Sequence, residues 1–334
     1  MKVAGRVRIS AAKTWLPPWR CSSGQAADAG IVTEAQLAGA LCRDVPVARD
    51  IPAWQMGLDA VRLCFEQAAV DPAAIDLLFY AGMTPVEEEP WSPSSRIARL
   101  AGATRAVAIG IAQMSNGSAA ALGHAVANML ADPDVRHAAC VSAGNFSELP
   151  YDRWRTAPTT VFGDGATAVL LGATGGPLAI RSIGTAGNPM LESTYPSNHP
   201  YRPLKEVPTE EKLDAFGFAA NAQAFRVAVS SAVEVALAHA GLTSQGRRSR
   251  VKVVAAPRLS PLVVRPIVVH SLPADLRERY VEFGADTGHL GAGDAAANIA
   301  AIINGDFLDV GECALLISSG AGIAISAIVL TRAE

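Results

Sequence analysis

With 334 residues, 50% of them hydrophobic and 18% charged, the chain can bury a large core and is long enough for two ordinary domains or one large two-part unit. Its formal net charge of −3 supplies no basic field for nucleic acid or an anionic membrane surface, so a small-molecule or protein partner is the better expectation. The five cysteines (Cys21, Cys42, Cys64, Cys140, Cys313) are odd in number, widely spaced and never in a CxxC pair, which argues against a disulfide framework and a zinc site and for core thiols in a reducing cytoplasm.

Met1 to Ser10 carries Lys2, Arg6 and Arg8 with no apolar stretch behind them, unlike a secretory signal. Ala60 to Gly82 (AVRLCFEQAAVDPAAIDLLFYAG) reads as a helix, a polar turn and an apolar strand. The run Ala106 to Ala112 (AVAIGIA) reads as a buried strand leading into Gln113 to Leu122 (QMSNGSAAAL), where a hydroxyl meets the start of an alanine-rich helix. Ser115 there has two readings, a helix cap or a nucleophile. Val233 to Ala256 repeats the helix, turn and strand order of Ala60 to Gly82, and Thr287 to Gly320 (TGHLGAGDAAANIAAIINGDFLDVGECALLISSG) echoes Ile111 to Gly144 more closely. In that echo Ser115 and His289 both fall at helix starts.

Strands that are apolar without polar alternation, alternating with helices twice over, predict two similar α/β halves packed together. The seam falls within Gly172 to Ile180, giving halves of residues 1–175 and 176–334. Asn188 to Phe218 is an irregular stretch rich in Pro, Asn and Tyr that reads as a cover loop; with Gly82 to Ser95 it would set the width of a site. The run Cys313 to Leu330 (CALLISSGAGIAISAIVL) is membrane-like in hydropathy, but its serines and paired glycines read as two buried strands around a turn. No metal site, Walker loop or dinucleotide fingerprint is present.

Phe162-Gly163-Asp164-Gly165-Ala166, within Tyr151 to Leu171, resembles the FGDGA signature of the ketoacyl-ACP synthase III family of the thiolase superfamily. QMSNGSAAAL falls where that family carries its nucleophile, and Ser318 to Ser326 (SSGAGIAIS) resembles its Gly-rich closing loop. The resemblance implies an α/β thiolase fold, a duplicated five-layer αβαβα architecture, and a homodimer. Three departures stand out. Ser115 replaces the family's Cys, Arg258 falls on its first active-site His, and His289 falls on its Asn. The lost His and Asn are the side chains that stabilise an enolate in decarboxylative condensation, so the resemblance points instead to a branch in antibiotic biosynthesis that transfers acyl groups without forming a carbon–carbon bond.

Ser115, His289 and Asp294 supply the residue types of an activated serine, a base and an orienting group. Asp294 serves equally well as an acid stabilising a helix N-terminus. The expectation is an acyltransferase that carries an acyl group, aryl acids included, from an acyl carrier protein or coenzyme A thioester through an acyl-Ser ester to a hydroxyl or amine of a small natural product. The backbone N–H groups of Ser115 and Ala321 would form the oxyanion hole. Arg153, Trp154, Arg155, His199 and Arg258 are candidate substrate-binding residues, and no cofactor is expected beyond the phosphopantetheine of the donor. The alternatives are a starter-unit synthase that primes a polyketide and a non-catalytic partner of the same fold. Asp164 reads as a buried turn residue, and Arg247, Arg248 and Arg250 as a basic cluster that would suit an acidic carrier protein or simply face water.

Overall fold

The computed structural model describes residues 1–33, 42–83, 91–148, 152–155, 157, 160–194 and 218–334. Its centre is a nine-stranded mixed sheet of order β5-β4-β6-β7-β1-β8-β11-β10-β9. The strands of the first half are β1 (Lys2–Trp15), β4 (Leu77–Gly82), β5 (Val107–Ile111), β6 (His137–Gly144) and β7 (Gly165–Gly172). Those of the second are β8 (Leu178–Gly187), β9 (Val251–Ala255), β10 (Cys313–Gly320) and β11 (Ala324–Arg332). A separate ribbon pairs β2 (Arg20–Ser22) with β3 (Asp44–Pro46).

Within the first half, β4 pairs parallel to β5 and β6, and β7 runs antiparallel to both β6 and β1. The second half repeats the arrangement: β9 is parallel to β10, and β11 is antiparallel to β10 and β8. Only the outermost strand differs. Where β5 flanks β4, the second half has a single parallel bridge between Val254 and Tyr280. The halves join where β1 and β8 pair antiparallel.

Helices fill three layers. On one outer side α1 (Ala53–Ala68) and α2 (Pro93–Ala101) pack on the first half-sheet, with Met56, Ala60, Val61, Cys64 and Phe65 at helical spacing in the core. On the other, α4 (Phe218–His239) and α5 (Pro261–Ile267) cover the second. Between the half-sheets lie α3 (Gly117–Ala131) and α6 (Asp294–Asn304), in one core cluster with residues of both halves such as Phe79, Cys140, Val253 and Leu316. A helix between two sheets needs small side chains, which explains the Ala content: in α6, Asp294 to Ala300 are all buried, whereas α3 keeps His124, Ala127 and Asn128 exposed. The result is the five-layer αβαβα arrangement.

The expectation of a buried strand at Ala106 to Ala112 is corrected. β5 is the open edge of the sheet, with Val107 60% and Ile109 36% exposed. An uninterrupted apolar run is expected of any strand destined for cover on both faces, and does not reveal whether the cover comes from its own chain. Cys42, Cys64, Cys140 and Cys313 are buried, and burial pushes the thiols of Cys42 and Cys64 up to about 12. Among the described residues no helix is long and apolar enough to cross a membrane and no cluster could hold a metal ion.

Candidate active site

Two equivalent turns meet at the centre of the molecule. In the first half the chain leaves β5, passes Met114 with a positive φ of 48°, makes one 3-10 turn over Met114–Asn116, and enters α3. In the second it passes Gly291 with φ 60°, makes a 3-10 turn over Gly291–Gly293, and enters α6. The turns touch: a Cβ on Gly117 would come within 2.8 Å of the Ala81 Cβ and 2.9 Å of the Ala292 Cβ. Ser115 is therefore equivalent to Ala292, and Asp294 to Gly117. His289 lies just ahead of its turn rather than at the helix start, which corrects its sequence alignment with Ser115.

Ser115 is not a helix cap. The N-cap of α3 is Asn116, with no side-chain capping bond, while the Ser115 hydroxyl lies 2.8 Å from His289 Nε2. His289 Nδ1 is 2.6 Å from Asp294 Oδ2. Asp294 is buried, and burial raises the energy of its charged form; His289 and Arg258 more than compensate, holding its carboxyl below the ordinary 3.8. An ionised carboxylate only accepts, so Nδ1 bears a proton, and in the neutral ring Nε2 is then the nitrogen whose lone pair meets the serine hydroxyl.

Glycines make this row possible by letting backbones close up. His289 N–H donates to Val161 O at 2.8 Å, and Gly163 N–H donates to His289 O at 3.0 Å. A Cβ on Gly163 would lie 1.9 Å from Thr287 O, and one on Gly288, whose φ is 62°, would lie 2.5 Å from Val161 O. The Phe162 ring stands 5.6 Å from the imidazole, centroid to centroid. Asp164, fully buried, accepts from Ala48 N–H at 2.7 Å and Phe146 N–H at 2.8 Å. The FGDGA segment thus braces the wall that holds His289.

The Gly-rich closing loop lies against the serine turn. A Cβ on Gly320 would come within 2.5 Å of Gln113 O and 2.9 Å of Asn116 N. Asn116 Nδ2 donates to Gln113 Oε1 at 2.6 Å and to Ser326 Oγ of β11 at 3.1 Å, tying the turn to the strand beyond the loop. Neither the N–H of Ser115 nor that of Ala321 has an acceptor among the described residues.

The candidate binding residues are otherwise employed. Arg153 directs its guanidinium to Asp164 at 3.0 Å, to Phe162 O and to Ser147 Oγ; it braces the FGDGA segment, which corrects its assignment to substrate. Trp154 is buried in a small core with Val45 and Val161. Arg155 pairs with Asp152 at 2.7 Å on the surface. Arg258 is corrected too. It is buried, and its side chain points to Asn298 Oδ1 at 2.9 Å and Thr287 Oγ1 at 2.8 Å while its main-chain N–H donates to Asp294 Oδ2 at 2.7 Å. His199 lies outside the described residues. In the basic cluster, Arg248 is committed to Asp275 at 2.9 Å, leaving Arg247 and Arg250 exposed.

Thr287, Asn298, Asn116 and Ser326 went unread in the sequence. Asn298 had a signal, since it follows Asp294 by one helical turn and shares its face.

No family model matches the chain. A curated relative, the β-ketoacyl-[acyl-carrier-protein] synthase III of Sphingopyxis alaskensis, is 36% identical over 119 residues, a stretch amounting to 35% of this chain and only 36% of that relative's length. Solved structures match almost end to end. ChlB3, described as an acyltransferase, superimposes with a TM-score of 0.86 at 26% identity over 98% of both chains. The priming β-ketosynthase of the R1128 polyketide pathway does so with a TM-score of 0.77 at 21% identity, over 98% of this chain and 96% of that one. The chain shares the α/β thiolase fold of these structures, and one stretch of 119 residues is similar in sequence to a ketoacyl-ACP synthase III.

Proposed function

We propose that this protein is an acyltransferase that moves an acyl group, aryl acids included, from a carrier-protein or coenzyme A thioester through an acyl-Ser115 ester to a hydroxyl or amine of a small natural product. The observation that carries the reading is the continuous row Ser115 Oγ, His289 Nε2, His289 Nδ1, Asp294 Oδ2, with spacings of 2.8 and 2.6 Å.

In the first step His289 Nε2 takes the serine proton as Oγ bonds to the thioester carbonyl carbon. The carbon–sulfur bond then breaks, and the leaving thiolate takes the proton from Nε2. In the second, Nε2 removes the acceptor's proton while its oxygen or nitrogen attacks the ester, and returns that proton to Ser115 Oγ as the ester bond breaks. Asp294 stabilises the imidazolium formed in each step. The unengaged N–H groups of Ser115 and Ala321, on segments in van der Waals contact, suit the transient oxyanion. No cofactor enters this scheme beyond the donor's own pantetheine. The exposed apolar edge β5 (Val107, Ile109) suits a second copy of the chain, since a bare apolar edge strand is a pairing surface.

The test is intact mass spectrometry after incubation with acetyl, propionyl, malonyl and aryl thioesters. A mass gain equal to the acyl group, lost in Ser115→Ala and at least about 10³-fold slower in His289→Ala, supports the reading. Carbon dioxide release from malonyl donors would replace it with the priming-synthase reading, and no adduct from any donor, carrier-bound ones included, would leave a non-catalytic partner.

A further inference from the structure

Arg258 is a buried cation whose acceptors are neutral. Its Nε donates to the Asn298 amide oxygen and one terminal nitrogen to the Thr287 hydroxyl. The amide is fixed in that sense, because Asn298 Nδ2 donates to Ala256 O at 2.9 Å. Burial lowers the guanidinium and the Asp294 charge offsets part of this, leaving it at about 10, so it stays charged at neutral pH. The side chain so placed spends these two donors on the protein itself. It links three pieces of the site: Thr287, close before His289; the helix bearing Asp294 and Asn298; and the segment after β9.

The geometry points to Arg258 as a positioning residue of the Ser115, His289 and Asp294 row, one that holds Asp294 by its main-chain N–H and sets, by its charge, the pH at which His289 takes a proton. The inference rests on the acyl-transfer reading above. An Asp beside an imidazole favours the protonated ring, and a base already protonated cannot accept from serine. A fixed cation behind the carboxylate offsets that bias, because imidazolium and guanidinium repel through Asp294.

The other charges near the row are accounted for. Asp164 is paired with Arg153, and Asp286 with Arg43 at 2.7 Å. Asp44 is bonded to Arg20. Glu282 lines the same small cleft as Arg258, and burial raises its carboxyl. Cys42, also lining it, is held neutral by burial. The guanidinium is thus the unneutralised charge closest to Asp294 among the described residues.

The rate of acetyl-enzyme formation from the N-acetylcysteamine thioester of acetate, followed by intact mass from pH 5 to 9, tests this. In Arg258→Met the pH of half-maximal acylation should rise by about one unit, with KM for the thioester within about twofold and Arg258→Lys restoring most of the wild-type profile. Asn298→Asp leaves the guanidinium in place but neutralises it at contact distance, and should shift the profile in the same direction even if Arg258→Met fails to fold. A uniform fall in rate with an unmoved profile, or a KM raised tenfold or more, overturns the inference. NMR titration of the His289 ring in wild type and Asn298→Asp reads the same shift without acylation, so failure of the acyl-transfer reading and failure of this one remain distinguishable: unmoved ring signals sink the second alone.

Discussion

The serine turn and its counterpart in the second half share a backbone and divide the chemistry. Both place a residue of positive φ first, Met114 at 48° and Gly291 at 60°, then one 3-10 turn, then an Ala-rich helix sandwiched between sheets. The first carries Ser115 and then Gly117, which must be small because Ala81 and Ala292 crowd it. The second carries Ala292 where the first has serine and Asp294 where the first has glycine. A duplicated helix start thus supplies the serine hydroxyl from one copy and the carboxylate that holds its histidine partner from the other, and contact between the copies brings them together.

Abolishing the division in the second copy should have the largest effect. Asp294→Asn keeps the shape but offers Nδ1 an amide in place of an obligate acceptor, so the ring can turn its proton toward Ser115; acylation should fall by about 10³ to 10⁴-fold, measured as single-turnover acyl-enzyme formation. The same change has a pH signature. The folded Asp294 carboxyl lies below its ordinary 3.8, so its contribution to stability is fully present above that value and is lost as pH falls through the depressed folded one. Urea midpoints taken between pH 5 and 3 should therefore fall less steeply in Asp294→Asn than in wild type.

Next in size is Gly117→Ala. Two methyl groups within 2.9 Å of the new Cβ cannot both withdraw, because Ala81 is held in β4 and Ala292 belongs to the facing turn. Unfolding free energy should drop by about 2 to 3 kcal/mol, read from denaturant midpoints, with the gap between Ser115 and His289 widened and acylation slowed. Gly320→Ala acts on the loop rather than the turn. Its Cβ would push on Gln113 O and Asn116 N, displacing Ala321 from the serine; a roughly 10 to 100-fold loss of acylation with the thioester KM little changed would fit a lost oxyanion donor. An unchanged acylation rate would remove Ala321 from that role.

The duplicated order of helices and strands was legible because hydrophobic runs and Ala-rich stretches recur in the same sequence in both halves. Ser115, His289 and Asp294 could be picked out as candidates by residue type beside glycine-containing turns, but the 2.8 and 2.6 Å spacings that join them come from tertiary packing. Burial of β5 was misread because Val107 and Ile109 have the same apolar character whether a helix or another surface covers them. Arg153 and Arg258 were misassigned for one reason: an arginine near a site suggests a ligand's charge, whereas their partners, Asp164 in one case and Asn298 with Thr287 in the other, become neighbours only through tertiary packing. The tie from Asn116 to Ser326 spans 210 residues and has no local signature.

The smallest effect separates the turns by their first residue. A non-glycine residue at positive φ costs on the order of 1 kcal/mol, and Met114 bears that strain with its side chain 43% exposed. Met114→Gly relieves it but adds freedom to the unfolded chain, so the two nearly cancel and the urea midpoint should move by less than about 1 kcal/mol. Gly291→Ala has no such balance. The new methyl would meet Met83 Sδ at 2.8 Å and the Phe146 ring at 3.1 Å, adding a packing conflict to the left-handed strain, for a loss of about 1 to 3 kcal/mol. If both changes cost the same, positive φ alone governs the pair; the expected inequality would show that the second turn is held by packing against Phe146 and Met83, which is what keeps Asp294 in register with a serine contributed by the other half.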